Sequence, residues 1–383
     1  MHRLHTEREI CGSSSRFLRE KLKARSRVAV LKTTPETVID DYHRLMRMAN
    51  YQDFLPKQNQ TALKINISWH HFYPACSTTP WQLDGVISAL LEDGYAKENL
   101  YGCHNRTVVV SARRGEITNK QKQVVVDKYG LRNIHLYEKS EEWVRYTPQA
   151  KMRVLDQVYP EGIRIPKRLI GSNVIHLPTM KTHVFTTMTG AMKNAFGGLL
   201  FEKRHWTHRV IHETLVDLLA IQKEIHPGLF AVMDGTFAGD GPGPRCMTPH
   251  VKNYILASGD MVAIDAIAAK MMGFDPLSIK FIRLAHEQGL GCGDVKEIEV
   301  VGEDITKVNF HFHVGDTFAS RGQKMIYWGP LRRLERLLLR TVVAPWSYVA
   351  SRLYHDAYWY NFVGRARVRQ ALRTDWGKLF TSY

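Results

Sequence analysis

Short apolar runs rich in β-branched residues recur along this chain, separated by stretches long enough for a helix and a turn. VAVL at 28–31, ALKINI at 62–67, the run from 99 to 110, NVIHL at 173–177 and LFAVM at 229–233 each read as a buried strand. Further strands are predicted at 133–137, 164–166, 254–258 and 297–301. Helices are predicted from about Pro35 behind Thr34, from Pro80 behind Thr79, from about Thr207 and from Asp260. Strands alternating with helices need crossover connections. The cadence therefore predicts an α/β fold with a largely parallel or mixed central sheet and flanking helices.

Charge divides the chain. The 383 residues carry a formal net charge of +16, which favours anionic partners. Residues 321–383 hold twelve lysines and arginines against three acids. The expected organisation is a basic N-terminal segment at 1–27, an α/β domain at 28–305 and a basic, aromatic-rich helical extension at 306–383. The extension, from about 325 onward, is a candidate for docking to a membrane surface or a protein partner. Nucleic acid is the weaker expectation, because no RNP, KH or zinc-finger pattern accompanies the charge.

The cysteines Cys11, Cys76, Cys103, Cys246 and Cys292 are scattered without a CxxC pair. That predicts neither an iron–sulfur cluster nor a zinc ribbon, and a reducing cytoplasm as the compartment. The N-terminal segment lacks the apolar core of a secretory signal. No run reaches the roughly 18 apolar residues of a spanning helix. The expectation is a cytoplasmic protein, soluble or peripheral to a membrane.

Candidate chemistry concentrates where predicted strands end, the place where open α/β sheets present side chains to ligands. The stretch HLPTMKTHVFTTMTGAMKNAFGGLL at 176–200 is the densest. Lys181 and His183 are candidate catalytic groups, with Thr182 between them, and Asp234 and Asp240 are candidates for proton transfer or for holding a divalent metal. Lys64, Asn66, Lys193 and Asn194 would bind and orient an anion. Gly197, Gly198 and Gly241 would let backbone approach it. His205, His208 and His212 recur at helical spacing and are weak candidates for metal ligands. The stretch has neither GxGxxG nor P-loop spacing, and HExxH is absent at His212. The reading is an enzyme acting on an anionic small molecule, redox or acid–base in class. The alternative is a non-catalytic binding or scaffolding protein that works through its basic tail.

Seven motifs occur in order: KIN at 64–66, TTP at 78–80, LPTMKTH at 177–183, TGAMKNAFGG at 189–198, MDG at 233–235, GDGP at 239–242 and GDMVAIDAIAAKMMG at 259–273. Together they resemble the DUF362 family over about 28–305. The resemblance implies an α/β domain without an assigned reaction. Some relatives add a ferredoxin-type module, for which this chain lacks the cysteines. The basic tail lies outside the family pattern.

Overall fold

The computed structural model describes residues 26–107, 109–340 and 345–383. The basic N-terminal segment, apart from its last two residues, lies outside them, as does Cys11. A ten-stranded mixed sheet forms the frame. From one edge its order is β12 (Glu299–Gly302), β1 (Arg27–Lys32), β11 (Thr248–Ser258), β10 (Leu229–Asp240), β7 (Asn173–Leu177), β2 (Thr61–Ile65), β3 (Leu100–His104) and β4 (Arg132–His135). A short strand β8 (Thr179–His183) continues beside β10 and pairs with β9 (Thr187–Met188). Strands β5 (Trp143–Tyr146) and β6 (Ile163–Pro166) form a separate antiparallel pair.

Pairing from β10 through β7, β2 and β3 to β4 is parallel, whereas β11 runs against both neighbours. Every residue of β2, β3 and β7 is buried. Strands covered on both faces have no solvated side, which is why they read as near-continuous apolar runs.

One apolar layer contains the helices Ile211–Ile225 and Met261–Met272. The second is an alanine-rich helix that can sit close to the sheet. Asp260 caps it, accepting from the backbone N–H groups of Val262 at 2.8 Å and Ala263 at 3.0 Å. Gly273, at φ +102°, ends it in the left-handed region. The opposite layer contains the helices Val38–Met48 and Pro80–Glu92.

The predicted C-terminal helices are present: Phe318–Tyr327, Glu335–Arg340, Pro345–Arg352, Arg365–Leu372 and Asp375–Ser382. The last of them lie on the second layer. Trp376 donates to Asn253 Oδ1 at 2.7 Å, Tyr383 donates to Asp84 Oδ2 at 2.7 Å, and Phe380 stacks on Phe72 with ring centroids 3.8 Å apart. Among the described residues no helix is long and apolar enough to cross a membrane.

Three local expectations need correction. Strand β10 does not stop at Asp234 but runs to Asp240, because β11 starts at Thr248 and pairs with that whole glycine-containing stretch. The KTH triplet is not a loop after a strand end; it lies in β8, where Thr179 and Lys181 pair with Asp234 and Gly239 of β10. The helix expected from Thr207 starts at Ile211, behind a 3-10 segment at Glu202–Val210.

Asp234 sits at the middle of this arrangement, fully buried. Its Oδ2 accepts from Tyr42 Oη at 2.8 Å, Thr79 Oγ1 at 2.9 Å and Trp81 Nε1 at 2.7 Å, and its Oδ1 accepts from Thr236 N and Oγ1 at 3.1 and 2.8 Å. One carboxylate thereby ties β10 to the first helix and to the start of the second. Asp234→Ala should lower the free energy of unfolding by roughly 3 kcal/mol, since the buried donors of Tyr42 and Trp81 would lose their acceptor at roughly 1–3 kcal/mol each. Urea unfolding measures this; an unchanged midpoint would refute the structural role.

Candidate functional site

A cleft of about 310 Å³ opens beyond the ends of β2 and β3 and beside β8. Its lining combines Lys64, Lys193, Arg204, Arg245 and four histidines with apolar groups such as Val110, Phe185 and Phe196. Among the described residues, none in its lining is an aspartate or glutamate. A site lined by cations without carboxylates carries a positive field into a low-dielectric space.

Lys64 reaches the cleft from the centre of the sheet. Its Nζ donates to the carbonyl of Ile65 at 2.6 Å, and its stem lies against Gly198, where a Cβ would come within 2.7 Å of Cε. A side chain at the second glycine of the Gly-Gly pair would have to displace the lysine stem. Asn194 donates to the carbonyl of Lys64 at 2.9 Å, joining the KNAFGG segment to β2. Lys181 is 1% exposed and points behind the lining, donating to Ser68 Oγ at 3.1 Å and to the carbonyl of Cys76. Arg204 donates to the carbonyls of Arg106 at 2.6 Å and Leu200 at 3.4 Å. In Arg245 the buried Nη1 has no hydrogen-bond partner.

Burial without a counter-charge is the main cause pulling these groups down. Lys64 and Lys181 fall to about 8. Lys193 falls to about 7, through burial first and then the charges of Lys181 and Arg204. Arg204 falls to about 10. For the two lysines under 5% exposed, the drop corresponds to roughly 3 kcal/mol of unmet charge stabilisation each.

His183 and Lys193 face each other within hydrogen-bond reach. Burial, then the Lys193 charge, holds His183 well below the usual histidine range, so the ring is neutral. The backbone N–H of Phe185 donates to Nδ1 at 3.1 Å, which leaves the single ring proton on Nε2. That Nε2 faces Lys193 Nζ at 3.1 Å. The pair is complementary when Lys193 is a neutral amine, and a proton can pass between them at a bound molecule.

Of the residues predicted from the sequence, Lys64, Asn66, His183, Lys193, Asn194 and Gly197 line the cleft. Thr182 does not; its hydroxyl donates to the carbonyls of Gly239 and Gly241 at 3.2 and 2.7 Å. Gly241, at φ +97°, shapes the turn after β10. Asp240 accepts from the backbone N–H of His313 at 2.8 Å and lies 3.3 Å from that ring, outside the lining. Asp234 serves the core. His205 and His208 reach the cleft, but the helix-face argument for a metal fails. In the 3-10 segment His208 stacks on Tyr327 and bonds the carbonyl of His205, while His212 lies against Phe281.

Sequence reasoning missed Arg204, Arg245 and a whole wall. Thr317, Ser320, Gln323, Tyr327, Tyr348, Ser351 and His355 all come from the C-terminal extension. The only signal was density of polar and aromatic residues in that tail.

A family model described as a domain of unknown function, DUF362, matches residues 61–270, more than half of the chain. A Synechocystis sp. protein named as thylakoid-associated is 30% identical over 136 residues, covering 33% of this chain and 41% of the relative. The matched region thus spans about two fifths of that relative's length. The family match takes in the cleft residues from Lys64 to Arg245 and the Asp234 anchor. The chain belongs to the DUF362 family.

Proposed function

We propose that this protein binds an anionic small molecule with a partly apolar body in the cleft and acts on it as an enzyme, with His183 and Lys193 moving a proton. One observation carries the reading. Lys64, Lys181, Lys193, Arg204 and Arg245 gather in and behind one cleft, and among the described residues none of them forms an ion pair with a carboxylate, Asp356 acting on Arg245 only from a distance. Buried cations without counter-ions are costly in the free protein and become favourable when an anion enters. Asn66 and Asn194 would orient that anion, and Phe185, Phe196 and Val110 would cover its apolar part.

A second reading, association with a membrane surface, rests on the outer side of the extension. Phe318, Met325, Trp328, Leu331, Leu334, Trp346, Val349, Leu353, Tyr358 and Phe362 are exposed. Between 318 and 373 the exposed charged residues, among those described, are all arginines. Apolar groups set among arginines suit an anionic bilayer. The name of the Synechocystis relative supports this reading.

Two experiments test these readings. Naphthalene-2-sulfonate keeps its charge across the neutral range, so its affinity reports the protein alone. It should bind tightest below pH 7 and weaken as pH rises through 7 to 8, when Lys193 and then Lys64 and Lys181 lose their protons. Lys193→Met should weaken it at least tenfold while leaving the unliganded protein equally or more stable, because a half-buried charge beside other cations is removed. A pH-independent affinity, or a fall in stability that matches the fall in binding, would exclude the anion site.

For the surface, the full chain should sediment with phosphatidylglycerol vesicles and not with phosphatidylcholine vesicles. Arg332→Glu with Arg333→Glu should cut that binding about tenfold or more, at about 1 kcal/mol per basic residue. Equal behaviour with both lipids would remove the electrostatic basis of this reading.

A further inference from the structure

A second group of chemically capable side chains lies outside the cleft lining, where β3, β4 and the short helix Ala112–Thr118 meet. Around Glu116 Oε2 stand His104 Nε2 at 2.7 Å, His135 Nε2 at 2.9 Å and Asn133 Nδ2 at 2.7 Å. His104 is 1% exposed and Glu116 4%, while His135 is half-buried. One nitrogen of each imidazole and one carboxylate oxygen fall within 4.8 Å of one another. Three different elements deliver them: the last residues of two neighbouring parallel strands and one turn of helix.

The hydrogen-bond inventory makes this group unusual. His135 Nδ1 lies 2.9 Å from Glu138 Oε1, so the ring has a carboxylate at each nitrogen. A neutral imidazole has one proton and satisfies only one of them. The arrangement is complete when the ring carries two protons, or when one nitrogen keeps its proton for Glu138 and the other coordinates a cation. The second is the carboxylate–histidine–metal relay found around bound metals, where an outer carboxylate fixes the tautomer. His104 also turns Nε2 to the shared point, and its Nδ1 is buried without a hydrogen-bond partner.

We propose that His104, Glu116 and His135 bind a divalent transition-metal ion, with Glu138 as the outer carboxylate that orients His135. Two imidazoles and one carboxylate suit zinc, or iron(II), rather than magnesium or calcium, which take oxygen ligands. Zinc–ligand bonds of about 2.0–2.2 Å separate tetrahedral donor atoms by about 3.3 Å. The present spacings would open by about half an ångström to admit the ion.

The consequence for the cleft is positional. Asn105 follows His104 directly, and Asn105, Thr107, Val109 and Val110 are lining residues. An ion here would pin the start of that wall to β4 and to the helix. The inference does not depend on the anion reading, and the two can fail separately.

The test uses the full chain, without an affinity tag, stripped by chelator and dialysed. Native mass spectrometry with zinc and visible spectra with cobalt(II) report stoichiometry and ligand field. The expected result is one equivalent bound with a four- or five-coordinate cobalt spectrum, lost in Glu116→Gln and in His135→Ala. Glu138→Gln should keep the site but weaken it by about tenfold to a hundredfold. His135, being half-buried, gives a variant that keeps the His104–Glu116 contact should Glu116→Gln fold poorly; circular dichroism checks both. His70, His71 and Asp356 also come within mutual reach, so His70→Ala serves as the control and should leave the stoichiometry at one. Absence of a bound equivalent in the unaltered protein, or uptake that survives in His135→Ala and disappears in His70→Ala, overturns the assignment and leaves His135 as a doubly protonated ring between two glutamates.

Discussion

A single buried carboxylate fixes β10, the strand against which β8 at the cleft wall is paired. Asp234 gathers Tyr42, Thr79 and Trp81 from two helices onto β10. Beside it Gln82 donates to the carbonyls of Pro178 at 3.0 Å and Val232 at 2.7 Å. These bonds hold the point at which β7 gives way to β8. Everything downstream of Pro178, including Lys181 and His183, takes its position from there. The carboxyl is held above the usual carboxylate range by burial, against the pull of its donors. Its role is therefore to collect hydrogen bonds, and its chemistry is turned inward.

That distinction explains what the sequence could convey. Period and composition revealed β1, β2 and β7 and the capped helix behind Asp260, because strand burial and N-cap chemistry are local properties. Six residues of the cleft lining were legible as well, because lysines, asparagines and a histidine beside glycines near strand ends stand out from a buried apolar background. Asp234 was not separable from them. An aspartate before a glycine looks the same whether it faces a ligand or three buried donors, and those donors lie more than 150 residues away in sequence. Strand β10 was cut short for a related reason. Its glycines signal a turn locally, but β11 pairs with them across the sheet and keeps the chain extended.

Energetically the site opposes the fold that carries it. Helix Gly190–Asn194 starts at a glycine with φ +70°, packed so close to Asp265 that a Cβ would collide with its carboxylate. Asp265 accepts from the N–H groups of Ala191 and Met192 at 2.6 and 3.0 Å. This cap presents Lys193 to the cleft, where burial and then the like charges of Lys181 and Arg204 make the ammonium form expensive. A rigid sheet with two covered faces can absorb that cost, and a loop could not. The neutral His183 is the other half of the solution. With its proton fixed on Nε2 it accommodates an amine, and it would not accommodate a second cation.

The extension changes how such a site must behave. Its inner residues Tyr327, Tyr348, Ser351 and His355 complete the cleft, and Ser351 Oγ lies 3.4 Å from Arg245. Further along, Trp69 donates to Asp356 at 2.7 Å and packs against Trp359 and Tyr360, which fastens the extension to the loop after β2. Residues two positions from Ser351 in each direction, Val349 and Leu353, are exposed. One helical segment therefore contributes polar groups to the cleft while presenting apolar ones to its surroundings. Under the proposed reading, a molecule that touches both Lys193 and the extension stabilises the docked position of the extension. Reciprocity of linked equilibria then requires that whatever engages the outer, apolar and arginine-rich side in that docked position also tightens binding within the cleft.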